Sequence, residues 1–329
     1  MTDTPLRAAV VGAGFVGSVH ARALLDDARV DLIALCARTP TKVEPLAARL
    51  GVRAYLSVDD LLTREQPDLV CVCTGNDEHI GPTLAALEAG ANVFVEKPIA
   101  FRLEEARRMV ETAEARGLRL GVNFNHRFSE PYRRALAFAR SAEFGRPAYI
   151  SMRFAGDLYP ILNDPYCMLI ETQGHSFDLM RLFGGEIADI HAFLSDPRGI
   201  GVYTSAAIGL RFESGAVGTL LGSWDSSYDR PAAVTFEMSG TDGGLVVENV
   251  VDAVYIYRAG GAAYEAWRPG LFRAERRDFW RTIDAHLAAF VSAILHGTEP
   301  PVTGRDGLRA LELCYGAVRS FEDGRSVAV

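Results

Sequence analysis

Three groups of residues in this 329-residue chain have the types and spacing to do chemistry. Glu96, Lys97 and Pro98 close the apolar run NVFV, and a strand that ends on two opposite charges and a proline is either a solvated turn or a site. A lysine held there offers a fixed positive charge to a developing alkoxide. Gly12, Gly14 and Gly17 in VVGAGFVGSVH form G-x-G-x-x-G, directly after a strand-like run and at the opening of a helix. The first glycine permits a tight turn, the second lets a pyrophosphate approach the backbone, and the third allows close helix–strand packing. In that context the motif predicts a dinucleotide site, with Phe15 and Val16 inside it. Glu171 and His175 lie four residues apart, which on a helix sets a carboxylate beside an imidazole. Histidine titrates near neutral pH and can move a proton in either direction. Ordinary surface pairs have the same spacing, so the pair alone establishes no site.

The nucleotide can be narrowed. The second strand ends LIALCARTPTK, with Ala37 where an acid would hold the adenosine ribose of NAD, then Arg38, Thr39 and Lys42. Without that acid a 2′-phosphate is not repelled, and Arg38 can pair with it or stack on adenine. The sequence therefore favours NADP over NAD. Thr74, Asn76 and His79 follow the fourth strand, at the sheet edge where the cofactor should lie.

The elements that must position these groups fall into two patterns. Through about residue 122, short β-branched runs (LRAAVV, VDLIALC, VRAY, DLVCVC, NVFV, LRLGV) alternate with helical stretches. This predicts an α/β Rossmann domain over 1–122, a parallel sheet wound on both faces by helices. Residues 123–329 read as an α+β domain with a large, mostly antiparallel open sheet. SAAIGLRFESGAVGTLLGSW alternates about a Glu213-Ser214-Gly215 turn, and AAVTFEMSGTDGGLVVENV repeats the design around Gly243-Gly244. A helix is expected from about Met168 to Phe183, and two more in DFWRTIDAHLAAFVSAILHG and DGLRALELCYGAVRSFEDG.

Composition bounds the partners. A net charge of −8 and the lack of any Lys/Arg run argue against nucleic acid or an anionic membrane. No apolar run is long enough to span a bilayer, so the expectation is a cytoplasmic protein. The five cysteines (Cys36, Cys71, Cys73, Cys167, Cys314) lack zinc spacing and read as core thiols. His20, His126, His191, His286 and His296 have no partners at metal spacing and read as structural or surface residues; no metal is expected.

Four stretches together resemble the Gfo/Idh/MocA family, which includes glucose-fructose oxidoreductase and inositol 2-dehydrogenase. They are VVGAGFVGSVHARAL, VCTGNDEHIGPTLAALEAGANVFVEKP, NFNHRFSEPY and ETQGHSFDLMRLFGG. The resemblance implies that Lys97 matches the E-K-P lysine, that His175 matches the histidine proposed as acid/base, and that Glu171 stands where the family usually has aspartate. It also implies cofactor contacts by Thr74, Asn76 and His79, with Gly75 in place of a proline, while Glu96 either holds the lysine's neighbourhood or meets a cofactor group. Asn125 and Arg127 then either line the nicotinamide pocket or tie the domains together. Asp178 is a substrate candidate, although a helix cap or an ion pair with Arg181 is the simpler use for it. Asp157, Tyr159 and Trp224 sit at strand ends where they could meet substrate or pack in the core. Before the histidine helix PYCMLI replaces the family's Gly-Gly, so no single relative's substrate transfers.

The expected activity is NAD(P)-dependent hydride transfer between nicotinamide C4 and a secondary hydroxyl or ketone of a sugar, inositol or related polyol. Lys97 and His175 would form the catalytic pair, supported by Glu171. Alternatives are a redox-neutral glycoside-cleaving enzyme, an imine or enone reductase, and, least of all, a nucleotide-sensing regulator. A homodimer or homotetramer through the C-terminal sheet is expected.

Overall fold

The computed structural model describes residues 4–157 and 164–329. The chain divides into two compact units, Met1–Asn125 with Trp280–Leu311, and His126–Phe279 with Glu312–Val329.

The first unit opens with β1 (Leu6–Val11), α1 (Phe15–Leu25), β2 (Val30–Cys36), α2 (Pro40–Leu50), β3 (Arg53–Tyr55) and α3 (Val58–Glu65). It continues with β4 (Leu69–Val72), α4 (Ile80–Glu88), β5 (Asn92–Val95), α5 (Leu103–Ala115) and β6 (Leu120–Val122). The six strands make one parallel sheet in the order β3-β2-β1-β4-β5-β6. The order reverses between β1 and β4, and ligands of open α/β sheets lie beyond the strand ends at such a switch point. Strands covered on both faces are apolar throughout, and β4 is buried at all its positions. Helix boundaries follow local chemistry. Pro40 starts α2 with its φ already set, Gly51 ends it at φ +73°, and the Ser57 hydroxyl caps α3 by accepting from the Asp60 N–H.

The second unit holds α6 (Glu130–Ala139), β7 (Pro147–Ala155), α7 (Gly174–Gly184), β8 (Ile187–Ser195), β9 (Ser205–Phe212) and β10 (Val217–Ser223). Next come β11 (Val234–Gly240), β12 (Gly243–Glu248), β13 (Ala253–Arg258) and β14 (Tyr264–Trp267). The chain ends with α8 (Arg281–His296), α9 (Gly304–Asp323) and β15 (Val327–Ala328). A nine-stranded sheet runs β14-β13-β12-β11-β7-β10-β9-β8-β15, antiparallel except for the β7–β10 pair. Burial alternates residue by residue in β9 and β10, so one face is covered, with α6 and α7 packed on this sheet, and the other face is open. The β11–β12 turn falls at Thr241-Asp242, just before the expected glycines. Gly243 instead opens β12, where a Cβ would meet the Phe138 ring at 2.8 Å.

Helix α8 lies after the second sheet in sequence but clusters with the first unit. Its apolar stripe of Ile283, Leu287, Phe290 and Val291 joins the core that β1, α1 and β5 share. Phe94 of β5 meets Phe290 at 5.2 Å and His286 at 4.8 Å between ring centroids. Among the described residues no helix is long and apolar enough to cross a membrane. All five cysteines are buried free thiols.

Truncating a fully buried aromatic costs about 3–5 kcal/mol. Phe290→Ala is therefore expected to lower unfolding stability by that order in a urea titration. A loss below about 1 kcal/mol would contradict the place of α8 in the first core.

Candidate active site

The β1–α1 turn is built for close approach. Gly12 has φ +119°, and a Cβ there would lie 2.1 Å from the Cys73 carbonyl oxygen. A Cβ on Gly17 would lie 1.9 Å from the Gly12 carbonyl oxygen, whereas a Cβ on Gly14 would meet nothing within 4 Å. The open side at Gly14 is where a pyrophosphate can reach the backbone. No acidic residue stands in the first turn of α1, and no side chain caps it, so its N–H groups face outward to an anion. A cavity of about 630 Å³ opens here, lined by Gly12, Gly14, Phe15, Val16, Ala37, Arg38, Thr39 and Thr74 among others. Its size suits an organic cofactor, and these residues fit a dinucleotide, since the glycines would admit its phosphates and the end of β2 would meet its adenosine.

Arg38 is not waiting for a phosphate. Its guanidinium donates to both carboxylate oxygens of Glu78, at 2.7 and 2.8 Å. Glu78 belongs to the β4–α4 loop, whose shape is held by the Thr74 hydroxyl donating to the Glu78 carbonyl (3.2 Å) and the Glu78 N–H donating to the Gly75 carbonyl (2.8 Å). Asn76 sits half-buried in the same loop.

The Glu96–Pro98 turn closes β5 with a cis peptide between Lys97 and Pro98. His79 is buried and its Nδ1 lies 2.8 Å from the Pro98 carbonyl; a carbonyl only accepts, so Nδ1 carries the proton. Glu96 Oε1 accepts from His20 Nε2 and from Asn123 Nδ2, both at 2.6 Å. Asn123 Oδ1 in turn lies 3.1 Å from His286 Nδ1, which must donate because the Asn123 amide is spent on Glu96. Burial alone would raise the Glu96 carboxyl, but the His20 hydrogen bond and charge, the Asn123 hydrogen bond and the Lys97 charge together bring it below its ordinary value. The Lys97 N–H donates to Glu96 Oε2 at 3.3 Å, so the carboxylate also fixes the backbone that carries the lysine. Reading the sequence places His20 and His286 as structural or surface residues and gives Asn123 no role. Both histidines are indeed buried and structural; what spacing does not reveal is that His20 and Asn123 meet on Glu96, with His286 behind Asn123.

In the second unit, Glu171 lies in a π-helical turn, Leu169–Gln173, that runs directly into α7, with His175 in the first turn of α7. Both side chains are buried. The His126 ring stacks on His175 at 4.1 Å with 2° between planes, a neighbour that sequence spacing does not reveal. Asp178 is paired in a fork with Arg127, whose Nε donates at 2.7 Å. Arg181, the partner expected for Asp178, is bonded to Glu186 instead. Trp224 is buried and its indole N–H donates to Thr172 in the π turn (2.8 Å). Asp157 is exposed and forms a β-bridge with Asp225. Asn125, in the first unit, donates to the Thr282 hydroxyl at 2.7 Å. Tyr159 lies outside the described residues.

Residues 6–124 match the family model described as "Oxidoreductase family, NAD-binding Rossmann fold", and residues 132–246 match the GFO/IDH/MocA C-terminal domain. The chain is 27% identical over 334 residues to the myo-inositol 2-dehydrogenase of Thermotoga maritima, covering 98% of each protein. Among solved structures it resembles an oxidoreductase from Agrobacterium radiobacter in complex with NAD+, L-tartaric acid and magnesium, with TM-score 0.87, 21% identity and coverage of 99% and 98%. It also resembles GenD2 from gentamicin A biosynthesis in complex with NAD, with TM-score 0.83, 26% identity and coverage of 100% and 97%.

The expected preference for NADP is overturned, because both of these structures were captured with NAD. The physical flaw in the expectation is the treatment of Arg38 as an unengaged cation, when it is bonded to Glu78.

Because the folded-state pKa of Glu96 is depressed, its contribution to stability is present above its unfolded value, near 4.5, and is lost as pH falls through the folded value. Glu96→Gln is therefore expected to destabilise the protein at neutral pH, with the deficit shrinking as pH falls below about 4.5. Urea titrations across that range check this, and a deficit independent of pH would contradict it.

Proposed function

The chain belongs to the Gfo/Idh/MocA oxidoreductase family and is a nicotinamide-dependent oxidoreductase; we propose that it uses NAD to oxidise a secondary hydroxyl of a sugar, inositol or related polyol, or to reduce the corresponding ketone. The observation that carries this is the open glycine cradle of the first unit, on the same sheet edge as a lysine whose backbone is fixed by a partly buried carboxylate. The full-length likeness to a protein named for acting on myo-inositol supports the substrate class.

NAD, when bound, supplies the hydride acceptor or donor at nicotinamide C4. The side chains handle charge and protons. Lys97 presents its ammonium to the substrate oxygen and stabilises negative charge there as the hydroxyl is deprotonated. His175 takes that proton at a ring nitrogen and returns it in the reverse direction. Stacking on His126 limits rotation of the His175 ring. Glu171, buried in the π turn that leads into the His175 helix, is proposed as the carboxylate that supports the histidine. Arg127 and Asp178, neutralised by each other, offer hydrogen-bonding edges for substrate hydroxyls without net charge.

The protein is further proposed to work in the cytoplasm as a homo-oligomer. On the open face of the second sheet, exposed Phe193 and Leu221 flank Ala207 across β8, β9 and β10, and exposed Val217 pairs with Tyr149. An apolar patch of this kind marks a contact surface. Sedimentation as a monomer at micromolar concentration would contradict it.

Lys97→Ala and His175→Ala are each expected to lower turnover at least about 100-fold, with NAD still bound in calorimetric titration. A panel of sugars, inositols and their keto forms, read by nicotinamide absorbance, supplies the substrate. Near-normal turnover in either variant would overturn the assignment.

A further inference from the structure

We infer that Glu78, rather than any residue at the end of β2, is the carboxylate that selects NAD against NADP in this chain, which rests on NAD being the cofactor. In Rossmann sites that prefer NAD, an acid after β2 holds the ribose and repels a 2′-phosphate. Here that strand ends at Cys36 and is followed by Ala37, with two cations, Arg38 and Lys42, lining the cavity. Taken alone, such a wall welcomes a phosphate. The lining contains one carboxylate among the described residues, Glu78, and it comes from the β4–α4 loop.

Glu78 acts in two ways. Its two oxygens accept from the Arg38 guanidinium at 2.7 and 2.8 Å, which neutralises the cation best placed to recognise a phosphate. Its own charge also repels a phosphate monoester, which carries close to two negative charges at neutral pH. The loop holds it in position through the Thr74 and Gly75 hydrogen bonds. Neither partner is buried, with Arg38 81% and Glu78 41% exposed at the side chain. Removing the pair therefore disturbs the fold little, because exposed ion pairs contribute little to stability. Other acids nearby are Asp77 in the same loop and Asp60 in α3, whose charge acts with burial to raise the Cys36 thiol. Neither lines the cavity.

The test is calorimetric titration of the purified protein with NAD+, NADP+, 5′-AMP and adenosine 2′,5′-bisphosphate. The nucleotide fragments read the adenosine side without turnover. Wild type is expected to bind NAD+ more tightly than NADP+. Glu78→Gln, and equally Glu78→Ala, should shift the ratio of NADP+ to NAD+ affinity towards NADP+ by at least about tenfold, with the same shift between the two fragments. Adding Arg38→Ala to Glu78→Gln should abolish the gain, and Asp60→Asn should leave the ratio where it was. If wild type prefers NAD+ and neither Glu78 variant moves the ratio, or if Asp60→Asn moves it instead, the inference fails while NAD stands as the cofactor. If wild type prefers NADP+, the cofactor assignment itself fails.

Discussion

A carboxylate largely withdrawn from water at the end of a strand is tolerated only when its charge is matched, and in this protein the Glu96 carboxylate imposes that demand on the residues around it. An unpaired buried carboxylate costs several kcal/mol. Here the demand is met by His20 from α1 and Asn123 just beyond β6, with His286 of α8 holding Asn123 in turn. Phe94, two residues before Glu96, packs against both histidine rings and Phe290, so the polar cluster stands on an aromatic floor. Helix α1 serves twice. Its first turn leaves uncapped N–H groups beside the glycine turn, and His20, within the same helix, holds Glu96 and through it the Lys97 backbone. The glycine turn and the backbone of Lys97, the two features on which the proposed function rests, are thereby tied to one helix.

What the sequence makes legible is local. The glycine motif, the E-K-P turn, the alternation of β9 and β10 and the helical stretches all carry their meaning within a dozen residues, and the structure has each of them. What it hides depends on residues far apart in the chain. His20 meets Glu96 across 76 positions, His286 meets Asn123 across 163, and Arg38 meets Glu78 across 40. No periodicity marks such pairs, so the partners of two histidines stay hidden and one arginine passes as an unengaged phosphate ligand. With Ala37 in place of an acid, an arginine that looks available to a 2′-phosphate favours NADP on sequence alone. The pairing of Asp178 fails in the same way, since a neighbour three residues away looks sufficient until Arg127 arrives from another element. Strands β8, β13 and β14 escape notice because their polar and apolar residues alternate too weakly to stand out.

The Glu171–His175 pair shows a subtler limit. Spacing of four implies one helical face only where the hydrogen-bond register is i to i+4, and residues 169–173 run in the wider π register. Such turns are rare and often found at functional sites. This one is supported from outside, by Trp224 on Thr172 and by the absence of a side chain at Gly222, where a Cβ would lie 2.6 Å from the Gln173 amide. The glutamate and histidine are therefore held by contacts from the sheet as well as by the helix that carries them.

The account rests on hydride passing directly between a carbinol carbon and nicotinamide C4. The most direct measurement uses a polyol deuterated at the carbinol carbon that is oxidised, with mass spectrometry of the nucleotide recovered after turnover. The account predicts NADH carrying one deuterium at C4 for each molecule of ketone formed. Ketone formation with unlabelled NADH, or turnover of the polyol without any reduced nicotinamide, would contradict it.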